Sequence, residues 1–189
     1  DLVKQQLDEV NGKVTSIILE PFSKNTGPAI SISTLFISEN FSKEAYILAI
    51  PSDHSIQDNE AFEKALSLGK KEVEGNSLVT FGVKPTSSHS GYGYLELGKE
   101  NEAGVFEGLS FHEKPKKEIA KSYIEKDNYL WNSGIFLFHS TSFLSLLKKV
   151  NKDLLRFYSF KEKNTKNNNL PIWTIDEELY KNSPSFSFD

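Results

Sequence analysis

Residues 46–58 read YILAIPSDHSIQD, and this stretch decides the fold class. It begins with the uninterrupted apolar run Tyr46–Ile50, which is the length of a strand. A strand apolar at every position, rather than at alternate ones, predicts a sheet covered on both faces, as in parallel α/β sheets. Pro51 breaks the run, a polar turn follows, and Asp58 stands where a helix cap belongs. Behind it, residues 59–74 bring Phe62, Ala65, Leu66, Gly69 and Val73 onto one helical face.

The same alternation continues in both directions. Residues 1–10 read as the end of a helix, and Val14–Leu19 (VTSIIL) as a buried strand. The polar turn EPFSKNTG then leads to Pro28, which suits the first position of a helix running to about Ser38. Leu78–Val83 is a third strand. Beyond it, Gly91–Gly98 and Gly104–His112 read as two sheet segments joined across GKENEAG, a hairpin-like excursion. A helix over 116–126, a strand Gly134–Phe138 and a helix over 141–150 follow; Asn164–Asn169 reads as a loop and 172–181 as a short helix. The pattern predicts an α/β core with a second small sheet. Ligands of such sheets bind beyond the carboxyl ends of the strands, which directs attention to the turns after Leu19, Ile50 and Val83.

Composition removes several functional classes. A chain of 189 residues, 38% hydrophobic and 12% aromatic, can bury about two thirds of its unfolded surface and need not be disordered. No apolar run approaches the ~18–20 residues that cross a bilayer, and no secretory leader opens the chain. A formal charge of −4 argues against nucleic-acid binding, which relies on basic patches. With no Cys, disulfides, thiol nucleophiles and Cys-ligated metals are excluded. With no Met either, Asp1 is not a translation start, and a longer parent protein is expected. Arg156 is the sole arginine among 22 basic residues, so anion binding falls to lysines and backbone N–H groups.

Several residues could carry chemistry. Asp53, directly after an apolar strand, could hold Mg²⁺ against a substrate phosphate or serve a turn. Glu20 also follows a strand, and a carboxylate there can accept from both N1–H and N2–H₂ of guanine; adenine offers no such pair. The segment Glu20–Ala29 ends at a helix N-terminus, which favours an anion or a polar ligand edge. In SGYGY (residues 90–94) the glycines allow close backbone approach to a ligand or make a simple turn. In EKP (residues 113–115) a carboxylate suited to sugar hydroxyls adjoins an ammonium suited to a phosphate. The Asn132 amide can both donate to and accept from hydroxyls, while Trp131–Gly134 also reads as a turn. His89, His112 and His139 lack metal-ligand spacing, and no GxSxG elbow is present.

Taken in order, LEPFSKNTGPAI (19–30), LAIPSDHSIQD (48–58), LVTFGVKP (78–85), SGYGYLELG (90–98), FHEKP (111–115) and YLWNSGIFLF (129–138) resemble the successive motifs of one family. It is the mannose-1-phosphate guanylyltransferases, in the bacterial branch often fused to a mannose-6-phosphate isomerase domain. The resemblance implies a Rossmann-like, mixed and mainly parallel sheet flanked by helices, with a small inserted β-sheet. It implies a nucleotide-binding part over about 1–85 and a sugar-phosphate-binding part over about 86–189. The implied reaction converts GTP and mannose 1-phosphate to GDP-mannose and pyrophosphate, with Mg²⁺ as cofactor. Asp53 and Asp189 then match the metal carboxylates, and Asp53 and Lys114 the catalytic pair. Glu20, Asn25 and Thr26 fall where the family recognises guanine. Gly93, Glu113 and Asn132 fall where it holds the sugar, with Lys114 at the sugar phosphate and Tyr92 packing beside the sugar.

The departures are specific. Lys24 stands where the family usually has Arg, Gly27 where Ala is usual, and the family's N-terminal strand and glycine-rich phosphate loop are missing from these residues. The resemblance also implies a homodimer; charge and the lack of a long apolar run lead us to expect a cytoplasmic enzyme with no nucleic-acid or membrane partner. Two further readings stay open: a uridylyl- or thymidylyltransferase acting on another sugar 1-phosphate, and a regulatory subunit that binds GDP-sugar without turnover. Those transferases usually carry Gln-Pro where this chain has Glu20-Pro21, which favours guanine.

Overall fold

The computed structural model describes residues 2–9, 14–150, 153–163 and 170–189. Its first elements are α1 (Leu2–Glu9), β1 (Ile17–Leu19), α2 (Thr26–Asn40), β2 (Tyr46–Ala49), α3 (Asn59–Glu74) and β3 (Val79–Val83). They are followed by β4 (Tyr94–Glu100), β5 (Phe106–His112), α4 (Lys117–Lys126), β6 (Tyr129–His139) and α5 (Ser140–Val150). A 3₁₀ turn (Leu154–Phe157), β7 (Phe160–Lys163), β8 (Ile172–Ile175) and α6 (Glu177–Lys181) complete the order. The chain forms two compact units, Asp1–Ser42 with Leu144–Phe188, and Lys43–Phe143 with Asp189.

The first unit is built on a three-stranded sheet, β1-β8-β7, in which β1 and β8 run parallel and β8 and β7 antiparallel. Helix α2 buries Ser31, Ile32, Thr34 and Phe36. Its hydroxyls are tolerated because Ser31, Ser33 and Thr34 each donate to the carbonyl four residues back, at 2.7–2.8 Å. The Phe36 ring meets Phe160 and Trp173 edge-on at 5.1 and 5.0 Å, a favoured aromatic geometry. Pro28 is the third residue of α2, not the first, because Asn25 takes the cap two residues earlier than expected. The expected strand over 14–19 contracts to Ile17–Leu19. The expected helix over 172–181 divides: the β-rich IWTI pairs with β1 and β7 as β8, and Asp176 caps the short α6 by accepting from Leu179 N at 3.1 Å. The loop expected at Asn164–Asn169 lies outside the described residues.

Gly27 has a local reason in this unit. A Cβ there would stand 2.3 Å from the Phe186 ring and 2.7 Å from the Phe186 carbonyl oxygen, and Gly27 N donates to that carbonyl at 3.1 Å. The ring can turn aside but the carbonyl cannot. Gly27→Ala is therefore expected to cost about 1–3 kcal/mol by overpacking, lowering Tm by roughly 5 °C. An unchanged melting curve would refute the close approach.

The second unit centres on the eleven-residue strand β6. Phe136 pairs with both Ala49 and Thr80, so β2 and β3 lie on opposite sides of β6. Trp131 likewise pairs with Val83 and Tyr94, so β4 follows β2 along one side of β6 while β3 runs along the other. β5 then extends the sheet beyond β4. The α/β class and the mixed, helix-flanked sheets are as expected, but the pairing is not mainly parallel. β2 and β3 do point the same way; β6 runs antiparallel between them, so all pairs in this sheet are antiparallel. Nor is β2 covered on both faces. Ile47 is buried, whereas Tyr46 and Leu48 are exposed, in a strand that pairs among the described residues only with β6.

Helix α3 spans the expected residues, with Asp58 Oδ1 accepting from Ala61 N at 2.9 Å. Gly69 and Val73 are the buried positions of its apolar face. The β4–β5 hairpin and α4 enclose a satellite core of Tyr94, Ala120, Tyr123 and Tyr129. Tyr123 and Tyr129 stack at 4.1 Å there. Ser140 starts α5 fully buried, its hydroxyl accepting from Ala45 N and donating to Lys43 O. No helix among the described residues is long and apolar enough to cross a membrane.

Candidate active site

The expected strand Gly134–Phe138 is in fact the second half of β6; the first half is the segment read as a turn. The register with β3 moves from Thr80↔Phe136 to Gly82↔Asn132, leaving extra residues on β6. Gly134 takes φ +71°, which a side chain would resist. This bulge breaks the ladder locally, as bulges beside functional sites do, and side chains complete it. Ser133 Oγ donates to Phe81 O at 2.6 Å, and Asn132 Oδ1 accepts from Thr80 Oγ1 and from Gly134 N, both at 3.2 Å.

Asn132 is thereby fixed in orientation, with its Nδ2 donating to Asp189 Oδ2 at 3.0 Å. Its backbone N–H donates to Gly93 O at 2.8 Å. A Cβ on Gly93 would meet the Phe111 ring at 2.6 Å and Glu113 Oε2 at 3.0 Å. Glu113 Oε1 in turn pairs with Lys114 Nζ at 2.8 Å. Lys114 sits just past the end of β5 with a left-handed φ of +42°, a strained conformation for a lysine. The hydrogen bond and charge of Glu113, with a further contribution from Asp189, raise the Lys114 amine above the usual lysine range. Five residues singled out in the sequence, Gly93, Glu113, Lys114, Asn132 and Asp189, thus form one connected group. Beside Gly93, Tyr92 stacks on His89 at 4.1 Å and meets Trp131 edge-on at 5.0 Å, giving a partly exposed aromatic surface.

Asp53 lies in the turn after β2, with its side chain 86% exposed and His54 Nε2 at 4.0 Å. Among the described residues no group of three or more His, Asp or Glu side chains could hold a metal. A divalent cation would need substrate phosphate oxygens and water to complete its shell. The hard carboxylate oxygens of Asp53 and Asp189 fit that mode, in which Mg²⁺ takes one or two carboxylates and keeps several other ligands.

The remaining candidates belong to the first unit, in the loop from β1 to α2. Asn25 adopts φ 72°, tolerable for asparagine, and its Oδ1 accepts from Thr26 N at 2.8 Å. Thr26 Oγ1 accepts from Phe188 N at 3.0 Å and lies 3.5 Å from Ser187 Oγ. Lys24 Nζ donates to Lys181 O at 2.8 Å and to Ser183 O, at the end of α6. At the position where the family usually has arginine, the Lys24 ammonium thus serves the carbonyl of the last α6 residue and one just past the helix, a favourable place for a cation. Glu20 accepts a hydrogen bond from the hydroxyl of Tyr180, which is wholly buried. Tyr180, Thr80 and Ser133 were not legible as site residues: nothing local in DEELYK or LVTF marks a partner so far away in the chain.

Residues 1–169 match the family model described as nucleotidyl transferase, and the chain belongs to that family. It is 35% identical, over 189 residues, to "Mannose-1-phosphate guanylyltransferase" of Salmonella muenchen, covering all of this chain and 40% of the relative. It is 34% identical, over 188 residues, to "Xanthan biosynthesis protein XanB" of Xanthomonas campestris pv. campestris (strain B100), covering 39% of it. The chain therefore spans about 40% of the length of these curated relatives. Among solved structures, mannose-6-phosphate isomerase from Helicobacter pylori superposes with a TM-score of 0.80 at 28% identity, covering 96% of this chain and 70% of that one.

Proposed function

We propose that this chain is the nucleotidyltransferase part of a mannose-1-phosphate guanylyltransferase, cytoplasmic and active in polysaccharide precursor synthesis. A phosphate oxygen of mannose 1-phosphate forms a bond to the α-phosphorus of GTP while the α–β bond breaks and pyrophosphate leaves. The nucleophile is already anionic at pH 7, so the chain needs no general base; its residues position the reactants and neutralise charge. Residues of about 1–85 serve the nucleotide, with Glu20, Asn25 and Thr26 at the guanine. Residues of about 86–189 serve the sugar phosphate, with Gly93, Glu113 and Asn132 at the hydroxyls and Lys114 at the phosphate. Mg²⁺, held by Asp53 and Asp189, supplies charge neutralisation at the phosphates when bound.

The observation that carries this reading is the connected group Gly93–Glu113–Lys114–Asn132–Asp189. It combines oriented hydroxyl-binding groups with one ammonium, which is what a sugar phosphate requires. The test is pyrophosphate release by the native-length protein with Mg²⁺, pairing GTP, UTP and dTTP with mannose and glucose 1-phosphates. GTP with mannose 1-phosphate is expected to be the best pair. Turnover with UTP or dTTP but not GTP would overturn the base assignment, and binding without release would favour a regulatory subunit.

A further inference from the structure

We infer that Tyr180 is a positioning residue for base selection, holding the Glu20 carboxylate in the orientation that accepts the guanine edge. The inference rests on the guanylyltransferase reading. Glu20 is exposed at the end of β1, where a free glutamate would rotate among several orientations. Accepting N1–H and N2–H₂ together requires both carboxylate oxygens in the plane of the base. The Tyr180 hydroxyl donates to Oε1 and uses one of its lone pairs, leaving acceptor sites on both oxygens. Burial, then the hydrogen bond and charge of Glu20, push the Tyr180 hydroxyl above the usual tyrosine range, so it remains a donor at all physiological pH values.

The donor is itself rigid. Tyr180 is 0% exposed, its backbone N–H donates to Asp176 O at 2.9 Å, and the Lys24 ammonium lies 5.4 Å from its ring centroid. Tyr158 provides an internal contrast. Its ring lies 6.2 Å from that of Tyr180, and its buried hydroxyl also feels the Glu20 charge. Yet among the described residues that hydroxyl has no hydrogen-bond partner. Two buried tyrosines thus neighbour one carboxylate, and one of them grips it.

The test compares wild type, Tyr180→Phe, Tyr158→Phe and Glu20→Gln with GTP and with ITP, which keeps N1–H but lacks the 2-amino group. Tyr180→Phe is expected to raise the KM for GTP about tenfold, to shrink the preference for GTP over ITP, and to hold kcat within about twofold. Tyr158→Phe should behave as wild type. Glu20→Gln should abolish the preference, and adding Tyr180→Phe to it should cause no further loss. Wild-type preference in a folded Tyr180→Phe protein would overturn the inference while leaving the guanylyltransferase reading intact. Should that variant not fold, wild-type GTP preference in the exposed-site Glu20→Gln variant would overturn the inference instead. A wild type that uses UTP and not GTP would overturn both, and is seen before any variant is made.

Discussion

Asp53→Asn is expected to lower kcat for pyrophosphate release by about 100- to 1,000-fold, while changing guanine-nucleotide affinity by less than about fivefold. The substitution keeps size and shape and removes one negative charge from a hard oxygen donor. On the proposed reading, charge neutralisation by Mg²⁺ at the phosphates would depend on that charge far more than recognition of the base would. The fold should be indifferent, since the Asp53 side chain is 86% exposed and its neighbour His54 is 4.0 Å away. A loss of rate therefore could not be attributed to unfolding. Steady-state rates at saturating GTP, mannose 1-phosphate and Mg²⁺, with nucleotide binding by calorimetry, make the comparison. An unchanged kcat would remove Asp53 from the metal site.

Lys114→Met should act on the other substrate. Loss of the ammonium is expected to raise the KM for mannose 1-phosphate by about 30- to 100-fold and leave the KM for GTP nearly unchanged. Methionine keeps the length of the stem, and the left-handed backbone at this position is equally uncomfortable for both residues. The effect exceeds the loss of one contact, because Glu113 would lose its ion-pair partner and remain as an anion near the incoming phosphate. Glu113 and Asp189 raise the lysine above its ordinary range, so the charge persists as pH rises from 7 to 9. No loss of sugar-phosphate affinity from this group is expected in that window. Equal KM values for wild type and Lys114→Met would assign the phosphate to another cation.

How much was legible in the sequence depended on how local each signal was. Helix α3 could be read from its N-cap onward, because Asp58 and the apolar spacing behind it act within a few residues. The β4–β5 hairpin and α4 were equally local. The motif group of the second unit was legible residue by residue, although the bulge that orients Asn132 was not. An Asn-Ser-Gly sequence suits a turn as well as a bulge, and only the pairing of β6 with β3 distinguishes them. Pairing direction was invisible for the same reason: an apolar run does not say which strand lies beside it, and in β2 it did not secure burial on both faces either, since Tyr46 and Leu48 are exposed. The division of 172–181 into strand and helix depended on β1, more than 150 residues earlier. Tyr180 was illegible on the same grounds.

The loop from β1 to α2 has a consequence for how the chain is made. Glu20 is tied to Tyr180, Lys24 to Lys181, Ser183 and Ser185, and Thr26 to Phe188, links that span 157–162 positions of sequence. Contacts of such separation carry a large loop-closure cost and form late, after local hairpins and helices have condensed. During synthesis the ribosome delivers residues 180–188 long after the loop itself. The nascent chain therefore completes its α3 and β4–β5 elements first, and the β1–α2 loop becomes fixed only after residues 180–188 have been made.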